Sequence, residues 1–162
     1  MQLTSVFTTL AVLAAAGSVM GERHTVTMVN RCGRGTPKLI RGPNVLSSGG
    51  SYTENGVLAS AIAYLQTGNC GFNGENCMTA ELTLKNPNPS QPGSGSSVNL
   101  SLIPPHAFNV PIALRYTGSC SNGVTCANAN CPTTDAFRVS SDTQAQRACQ
   151  NNDVNLEITF CP

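Results

Sequence analysis

The chain has 162 residues, of which only 10% are charged, and its formal net charge is +1. This balance argues against a nucleic-acid partner, because binding to a phosphate backbone requires a clustered excess of Lys and Arg. The chain also has 8 cysteines, which favour an oxidising, extracellular compartment.

The first residues are predicted to form a secretory signal peptide over residues 1–21. Residues 4–19 are almost all apolar or small, and cleavage is expected after Gly21. The apolar run is too short to span a bilayer, and a buried N-terminal helix would leave the cysteines unexplained. We expect the remaining residues, 22–162, to form one soluble, monomeric domain with no membrane span.

Behind the leader, β-branched residues dominate and helical periodicity is nearly absent, which predicts short β-strands. The predicted strands, in chain order, are residues 25–29, 57–65, 79–84, 98–102, 110–116 and 154–160. We interpret residues 57–65 and 110–116 as strands buried on both faces. The others alternate polar and apolar residues, as strands with one solvated face do.

Clusters of Gly, Asn, Ser and Pro separate these strands and predict turns at residues 47–51, 73–76, 86–97 and 119–123. One short helix is predicted at residues 143–148. Short strands with such turns are typical of a two-sheet sandwich. The sequence therefore predicts a single all-β, antiparallel sandwich without repeats or a second domain.

The cysteines have two interpretations, disulfides or metal binding, and their spacing alone does not select a disulfide connectivity. Metal binding is disfavoured because the chain has no pair of cysteines in a CxxC arrangement. Its only histidines, His24 and His106, are expected on the surface rather than as ligands. We therefore expect disulfides, with neither a metal nor a cofactor.

Seven short motifs, several of them around cysteines, carry a resemblance to a known family. They are Val29-Asn30-Arg31-Cys32, Ser48-Gly49-Gly50-Ser51-Tyr52-Thr53, Thr67-Gly68-Asn69-Cys70-Gly71, Ala80-Glu81-Leu82, Phe108-Asn109-Val110-Pro111, Asp135-Ala136-Phe137 and Ile158-Thr159-Phe160-Cys161-Pro162. Each is weak alone, but the ordered set extends over essentially all of residues 22–162. It resembles the thaumatin-like proteins, and most of all their small secreted fungal forms.

The resemblance implies the disulfide pairing. Matching cysteines give Cys32–Cys161, Cys70–Cys77 and Cys120–Cys149, which leaves Cys126–Cys131. Full-size members have a cysteine-rich second lobe inserted between the two cysteines that correspond to Cys126 and Cys131. Here only residues 127–130 separate them, so the resemblance implies a single-domain form that lacks this lobe.

The resemblance also implies a partial site. Full-size members have an acidic cleft of one Arg, one Glu and three Asp, associated with β-1,3-glucan binding, weak endo-glucanase activity and antifungal action. Glu81 and Asp142 match two of these residues, and the Arg and the other two Asp are missing. Hydrolysis requires two carboxyl groups, one of which holds a proton to donate. With one wall of the cleft gone, the two residues are candidates for ligand contact or weak catalysis, or are ordinary surface carboxylates.

Other residues are candidates for sugar contact. Asn99-Leu100-Ser101 is a glycosylation sequon, so Asn99 is a candidate both for N-glycosylation and for contact with a bound glycan. Tyr64 and Phe72 are aromatic residues that can stack on sugar faces.

The sequence thus favours a secreted, non-catalytic protein that associates with β-1,3-glucan of the cell wall in a defence or antifungal role. One alternative is a protein-directed module, such as an inhibitor of wall-degrading enzymes or a secreted effector. A third interpretation is a weak endo-β-1,3-glucanase.

Overall fold

The computed structural model describes residues 21–162, so the predicted signal peptide lies outside the described residues except for Gly21. The described part contains eleven strands. They are β1 (Arg23–Asn30), β2 (Thr36–Arg41), β3 (Asn44–Ser47), β4 (Gly50–Asn55), β5 (Leu58–Gln66), β6 (Thr79–Leu84), β7 (Ser96–Ser101), β8 (Ile112–Thr117), β9 (Gly123–Cys126), β10 (Arg147–Cys149) and β11 (Asn155–Phe160).

These strands form two sheets, and the predicted all-β sandwich is confirmed. The five-stranded sheet has the order β4-β1-β11-β8-β9, and the six-stranded sheet has the order β10-β7-β6-β5-β2-β3. All pairings are antiparallel except that of β1 with β11, which is parallel. The first and last strands of the domain are therefore neighbours at the centre of one sheet.

Alternation along the strands builds the core between the two sheets. In β1, Val26 is fully buried while Thr25 and Thr27 are partly exposed on the opposite face. Leu82 on β6 and Ile158 on β11 belong to the same hydrophobic cluster as Val26, so it joins residues of both sheets. Since successive side chains on a strand point to opposite faces, this pattern fixes which face of each sheet is left outside.

The sequence prediction recovers six of the strands and misses β2, β3, β4, β9 and β10. The missed strands are short or polar: β4 has the sequence Gly-Ser-Tyr-Thr-Glu-Asn and contains no fully buried residue. The expectation that residues 57–65 are buried on both faces is wrong for Val57, Ala59 and Ser60, which are exposed. Ser60 has a φ of 53° where the register between β5 and β6 shifts, so a bulge turns this segment outward. In β8, likewise, Arg115 is exposed.

The helix predicted at residues 143–148 is wrong, and no helix occurs among residues 21–162. The segment forms turns and then enters β10, which pairs with β7. Arg147 donates from Nε to the Gly123 carbonyl at 3.0 Å and from Nη2 to the Thr134 carbonyl at 2.9 Å. These bonds and the disulfide at Cys149 hold the segment in an extended conformation. A helix this short would be only marginally stable by itself, so these contacts decide the conformation.

His24, expected on the surface, is fully buried. Its Nδ1 lies 2.7 Å from the Val154 carbonyl and its Nε2 lies 3.0 Å from a Glu22 carboxylate oxygen. The imidazole thereby ties the start of β1 to the residue before β11. His106 is partly buried, and its Nδ1 lies 2.9 Å from the Gly74 carbonyl. Both histidines therefore hold backbone segments together.

All four predicted disulfides are present: Cys32–Cys161, Cys70–Cys77, Cys120–Cys149 and Cys126–Cys131. Cys32 and Cys161 lie just beyond the ends of β1 and β11. Because these two strands run parallel, their carboxyl ends meet, and the bridge closes a sequence separation of 129 residues. Cys126 and Cys131 are separated by only 5 residues.

This difference in loop length predicts an order of stabilities. On the loop-entropy model, Cys32–Cys161 contributes about 5 kcal/mol and Cys126–Cys131 about 2 kcal/mol. We expect the double variant Cys32→Ala/Cys161→Ala to melt well below Cys126→Ala/Cys131→Ala, as measured by thermal unfolding of both purified proteins. Equal melting points, or the reverse order, would show that local packing outweighs loop length.

Candidate functional site

A row of five side chains crosses the outer face of the six-stranded sheet. The strand registers place Asn99, Glu81, Ile62, Ile40 and Val45 side by side on β7, β6, β5, β2 and β3. With neighbouring strands about 4.8 Å apart, the row is about 19 Å long. It is polar at the β7 end and apolar at the β3 end.

Two adjoining hollows follow this row, and we call them together the outer groove. Ser60 and Ile62 line both hollows and join them. The polar hollow has a volume of about 350 Å³ and is also lined by Thr83, Glu81, Ser97 and Asn99. The second hollow has a volume of about 370 Å³ and is also lined by Ile40, Gly42, Asn73, Glu75, Pro105 and His106.

Glu81 and Asn99 form the polar end of the groove. The Asn99 amide donates from Nδ2 to Glu81 Oε2 at 3.0 Å, which joins β7 to β6 on the outer face. The bond engages one carboxylate oxygen and leaves Oε1 to a ligand. An N-glycan on Asn99 would attach to this same Nδ2, and Asn99 is only 8% exposed. The geometry therefore favours Asn99 as a groove residue rather than as a glycan acceptor.

Asp142 is held elsewhere. Its Oδ2 accepts the backbone N–H of Arg138 at 2.7 Å and that of Val139 at 3.1 Å, which closes the turn before β10. It is not among the residues that line the hollow at Glu81. The structure therefore does not bring the two sequence-predicted carboxylates together in one cavity, and the second carboxylate of the groove is Glu75.

Tyr64 and Phe72 have opposite environments. Tyr64 is 2% exposed, and its hydroxyl donates to the Phe72 carbonyl at 2.9 Å. Burial raises the pKa of this hydroxyl, and the charge of Glu75 raises it further. Phe72 is 48% exposed in the loop closed by Cys70–Cys77. Of these two aromatic candidates, only Phe72 offers a ring surface to a ligand.

The loop from Cys70 to Cys77 is held firmly over Tyr64. The Glu75 carboxylate accepts the Asn73 backbone N–H at 3.0 Å and the Asn73 side-chain amide at 3.1 Å. Gly74 has a φ of +78°, and a Cβ there would lie 2.5 Å from Thr79 Cγ2, so the close approach requires glycine. Phe72 is thus presented on a braced loop.

Sequence reasoning missed Ile62, Ile40, Glu75 and His106 as groove residues. Strand register, which we did not predict from the sequence, brings the two isoleucines into one row with Glu81. Glu75 and His106 meet because the 103–109 segment contacts the disulfide loop, with Asn76 N–H donating to the Pro105 carbonyl at 2.8 Å. The one sequence feature that could have indicated Glu75 as a site residue is its position inside the small loop from Cys70 to Cys77.

A larger hollow of about 620 Å³ lies on the outer face of the five-stranded sheet. Three of the charged side chains that line it have partners: Arg115 lies 3.2 Å from Glu157, and Arg147 donates to backbone carbonyls. The side chains between them are small or hydroxylated, such as Ala113, Thr125 and Thr159. This face has no large exposed apolar side chain, which leaves the outer groove as the better candidate site.

Among residues 21–162, no group of three or more His, Cys, Asp or Glu side chains is placed to hold a metal ion. Within the same range, no helix has the length and apolar character needed to cross a membrane.

Comparison with known proteins gives a structural likeness. No protein-family model matches the chain, and no curated protein sequence matches it either. A similar solved structure is the crystal structure of the protein elicitor MoHrip2 from Magnaporthe oryzae, with a TM-score of 0.50 and 15% sequence identity. The match covers 88% of this chain and 100% of that chain. At this identity the likeness shows a shared fold, and membership of the thaumatin-like family stays a prediction.

Glu81 is the one carboxylate among the residues described as lining the polar hollow, which predicts little or no hydrolysis. Glycoside cleavage needs a carboxylic acid and a second carboxylate across one bound sugar, in a site that excludes water. We expect no release of reducing sugar from soluble β-1,3-glucan by the purified protein, and the same result for Glu81→Gln. Robust turnover that disappears in Glu81→Gln would contradict this expectation.

The disulfide loop should respond to acid. A backbone hydrogen bond at Glu75 itself, then bonds from Asn73, lower the pKa of the Glu75 carboxyl below its ordinary value of 4.5. Because the folded pKa is the lower one, this stabilisation is present above the ordinary value and is lost as pH falls through the folded pKa. Urea unfolding at several pH values should show wild type more stable than Glu75→Gln near neutrality, with the gap closing in acid. A gap that does not change with pH would contradict this assignment.

Proposed function

We propose that this chain is a secreted, non-catalytic binding protein of the elicitor or effector type whose outer groove binds β-1,3-glucan of a cell wall. The observation that carries the proposal is the row from Asn99 to Val45, which has hydrogen-bonding groups at one end and apolar side chains at the other, on one face of the sheet.

The row suits the chemistry of a sugar chain. Pyranose rings present hydroxyl groups at their edges and C–H groups on their faces. The free oxygen of Glu81 accepts hydroxyl protons. The hydroxyls of Thr83 and Ser97 beside it accept from the Ser60 N–H and the Gln146 side chain, and each keeps its own proton to donate to a sugar. Further along the row, the partly exposed Ile62 and the exposed Val45 offer apolar contact to ring faces. Binding sites commonly combine an apolar lining with a few placed polar groups in this way.

Secretion is supported by the leader and by the disulfides. Four disulfides persist in oxidising compartments and are rare in the cytosol. The shared fold with a fungal protein elicitor fits an extracellular role of the same kind. The absence of catalysis is supported by Asp142, whose Oδ2 is taken up by two backbone N–H groups.

A protein target is the second candidate, and the apolar half of the site favours it. Phe72 and Val45 are each 48% exposed. Val45 pairs with Ile40 across the strands, and Phe72 lies on the disulfide loop whose Glu75 lines the second hollow. An aromatic side chain on a braced loop loses little conformational freedom on binding, as hot-spot residues of protein interfaces do. An inhibitor of a wall-degrading enzyme or an effector would use this half.

Co-sedimentation with insoluble β-1,3-glucan, and with chitin as a second polymer, tests the proposal. We expect retention of the wild-type protein on glucan. Glu81→Gln should bind about fivefold more weakly, since it replaces a hydrogen bond to a charged group by a neutral one, a difference of about 1 kcal/mol. Gln keeps an oxygen to accept from Asn99, so the variant removes charge without removing the bond between the strands.

The matched control is Glu157→Gln, which makes the same change on the outer face of the five-stranded sheet and should bind like the wild type. Equal retention of all three proteins would place binding outside the outer groove. No retention on either polymer would reject the glycan and favour the protein target.

A further inference from the structure

The connection between β6 and β7 carries a feature that the groove does not use. Residues 85–95 leave the six-stranded sheet and return to it, and their tip contains Pro89, Ser90 and Pro92, all exposed. Exposed segments that combine serine with proline have the composition of O-glycosylated regions.

Among the serines of this connection and of the first two residues of β7, Ser90 alone has a free hydroxyl. Ser94 Oγ accepts the Asn88 backbone N–H at 2.7 Å. Ser96 Oγ accepts from the Lys85 N–H at 3.0 Å and donates to the Lys85 carbonyl at 3.1 Å. Ser97 Oγ bonds to the Gln146 side chain. In the described part of the chain no group hydrogen-bonds the Ser90 hydroxyl.

The backbone presents this hydroxyl outward. Pro89 and Pro92 have no N–H, so the tip cannot join a β-ladder. The Ser90 N–H is taken up by Asn88 Oδ1 at 3.0 Å, and the Gln91 N–H donates to the Asn88 carbonyl at 2.9 Å. The tip is thereby shaped before an enzyme meets it, and an enzyme can reach Ser90 without disturbing a sheet or the core.

We propose that Ser90 is an O-glycosylation site that receives a hexose from a phosphate-activated sugar donor. The Ser90 Oγ forms a bond to the anomeric carbon while the bond from that carbon to the donor phosphate oxygen breaks. The hydroxyl proton passes to a base of the transferase, and the phosphate leaves with its carrier. The inference rests on the proposed function only in requiring that the chain be secreted.

The contrast with Asn99 sharpens the inference. The sequon asparagine is 8% exposed in the middle of a sheet, and its Nδ2 is held by Glu81. Ser90 lies at an exposed turn tip, the kind of site where proteolytic nicking concentrates. A sugar there would shield the tip.

The test is the intact mass of the full chain secreted from yeast behind a yeast signal peptide, so that entry into the secretory pathway does not depend on its own leader. We expect a mass above that of the polypeptide by whole hexose units, unchanged by enzymatic removal of N-glycans. Ser90→Ala should abolish the increment. Because the hydroxyl of Ser90 has no partner, this change should leave folding intact, which secretion and the melting point check.

Two matched variants complete the experiment. Ser94→Ala changes a serine of the same connection whose hydroxyl is engaged, and Ser119→Ala changes an exposed serine without neighbouring prolines. Both should keep the full increment. A secreted wild type with the bare polypeptide mass, or an increment that survives Ser90→Ala, would overturn the proposal. An increment lost only in Asn99→Gln would assign the sugar to the sequon and overturn it as well.

Discussion

The parallel pairing of β1 with β11 is the contact on which the rest of the domain depends. It joins the first and last strands at the centre of the five-stranded sheet, with β4 and β8 on either side. The sheet cannot form around this pair, with β4 on one side and β8 on the other, until β1 and β11 meet. Closing so long a loop costs conformational entropy before any contact compensates it. The Cys32–Cys161 disulfide lowers this cost because it keeps the two strands close together in the unfolded chain.

The face that carries the outer groove follows from the core pattern of the six-stranded sheet. β5, β6 and β7 are consecutive and antiparallel, and Leu82 and Leu84 on β6 are buried against the five-stranded sheet. A slip of one residue would bury Glu81 and expose both leucines, so apolar burial holds the register. The same register aligns Asn99, Glu81 and Ile62 outside. Core packing therefore sets the order of polar and apolar groups along the groove.

The sequence predicted features that depend on neighbouring residues better than features that depend on contacts between distant parts of the chain. Alternation within a strand is local, and residues 79–84 matched β6 at both ends. β10 was missed because its three residues are extended by the Cys120–Cys149 tether and by the bonds of Arg147, which are long-range contacts. Glu81 was found through a resemblance, but its neighbour Ile62 depends on register. Asp142 has a carboxylate, as a site residue would, but only the structure of its turn showed that this carboxylate accepts hydrogen bonds from two backbone N–H groups.

The openness of the groove sets the kind of ligand it can recognise. With solvent on its open side, each hydrogen bond to a hydroxyl exchanges with water and contributes only about 1 kcal/mol. The apolar end adds contact area but no enclosure, so a short oligosaccharide should bind weakly. A polymer differs because its repeated units give each protein molecule many overlapping positions, and a wall surface holds many chains together, which raises the effective concentration. An open row about 19 Å long therefore suits an insoluble repeating polymer better than a small sugar, since it needs neither enclosure nor a unique register of the bound chain.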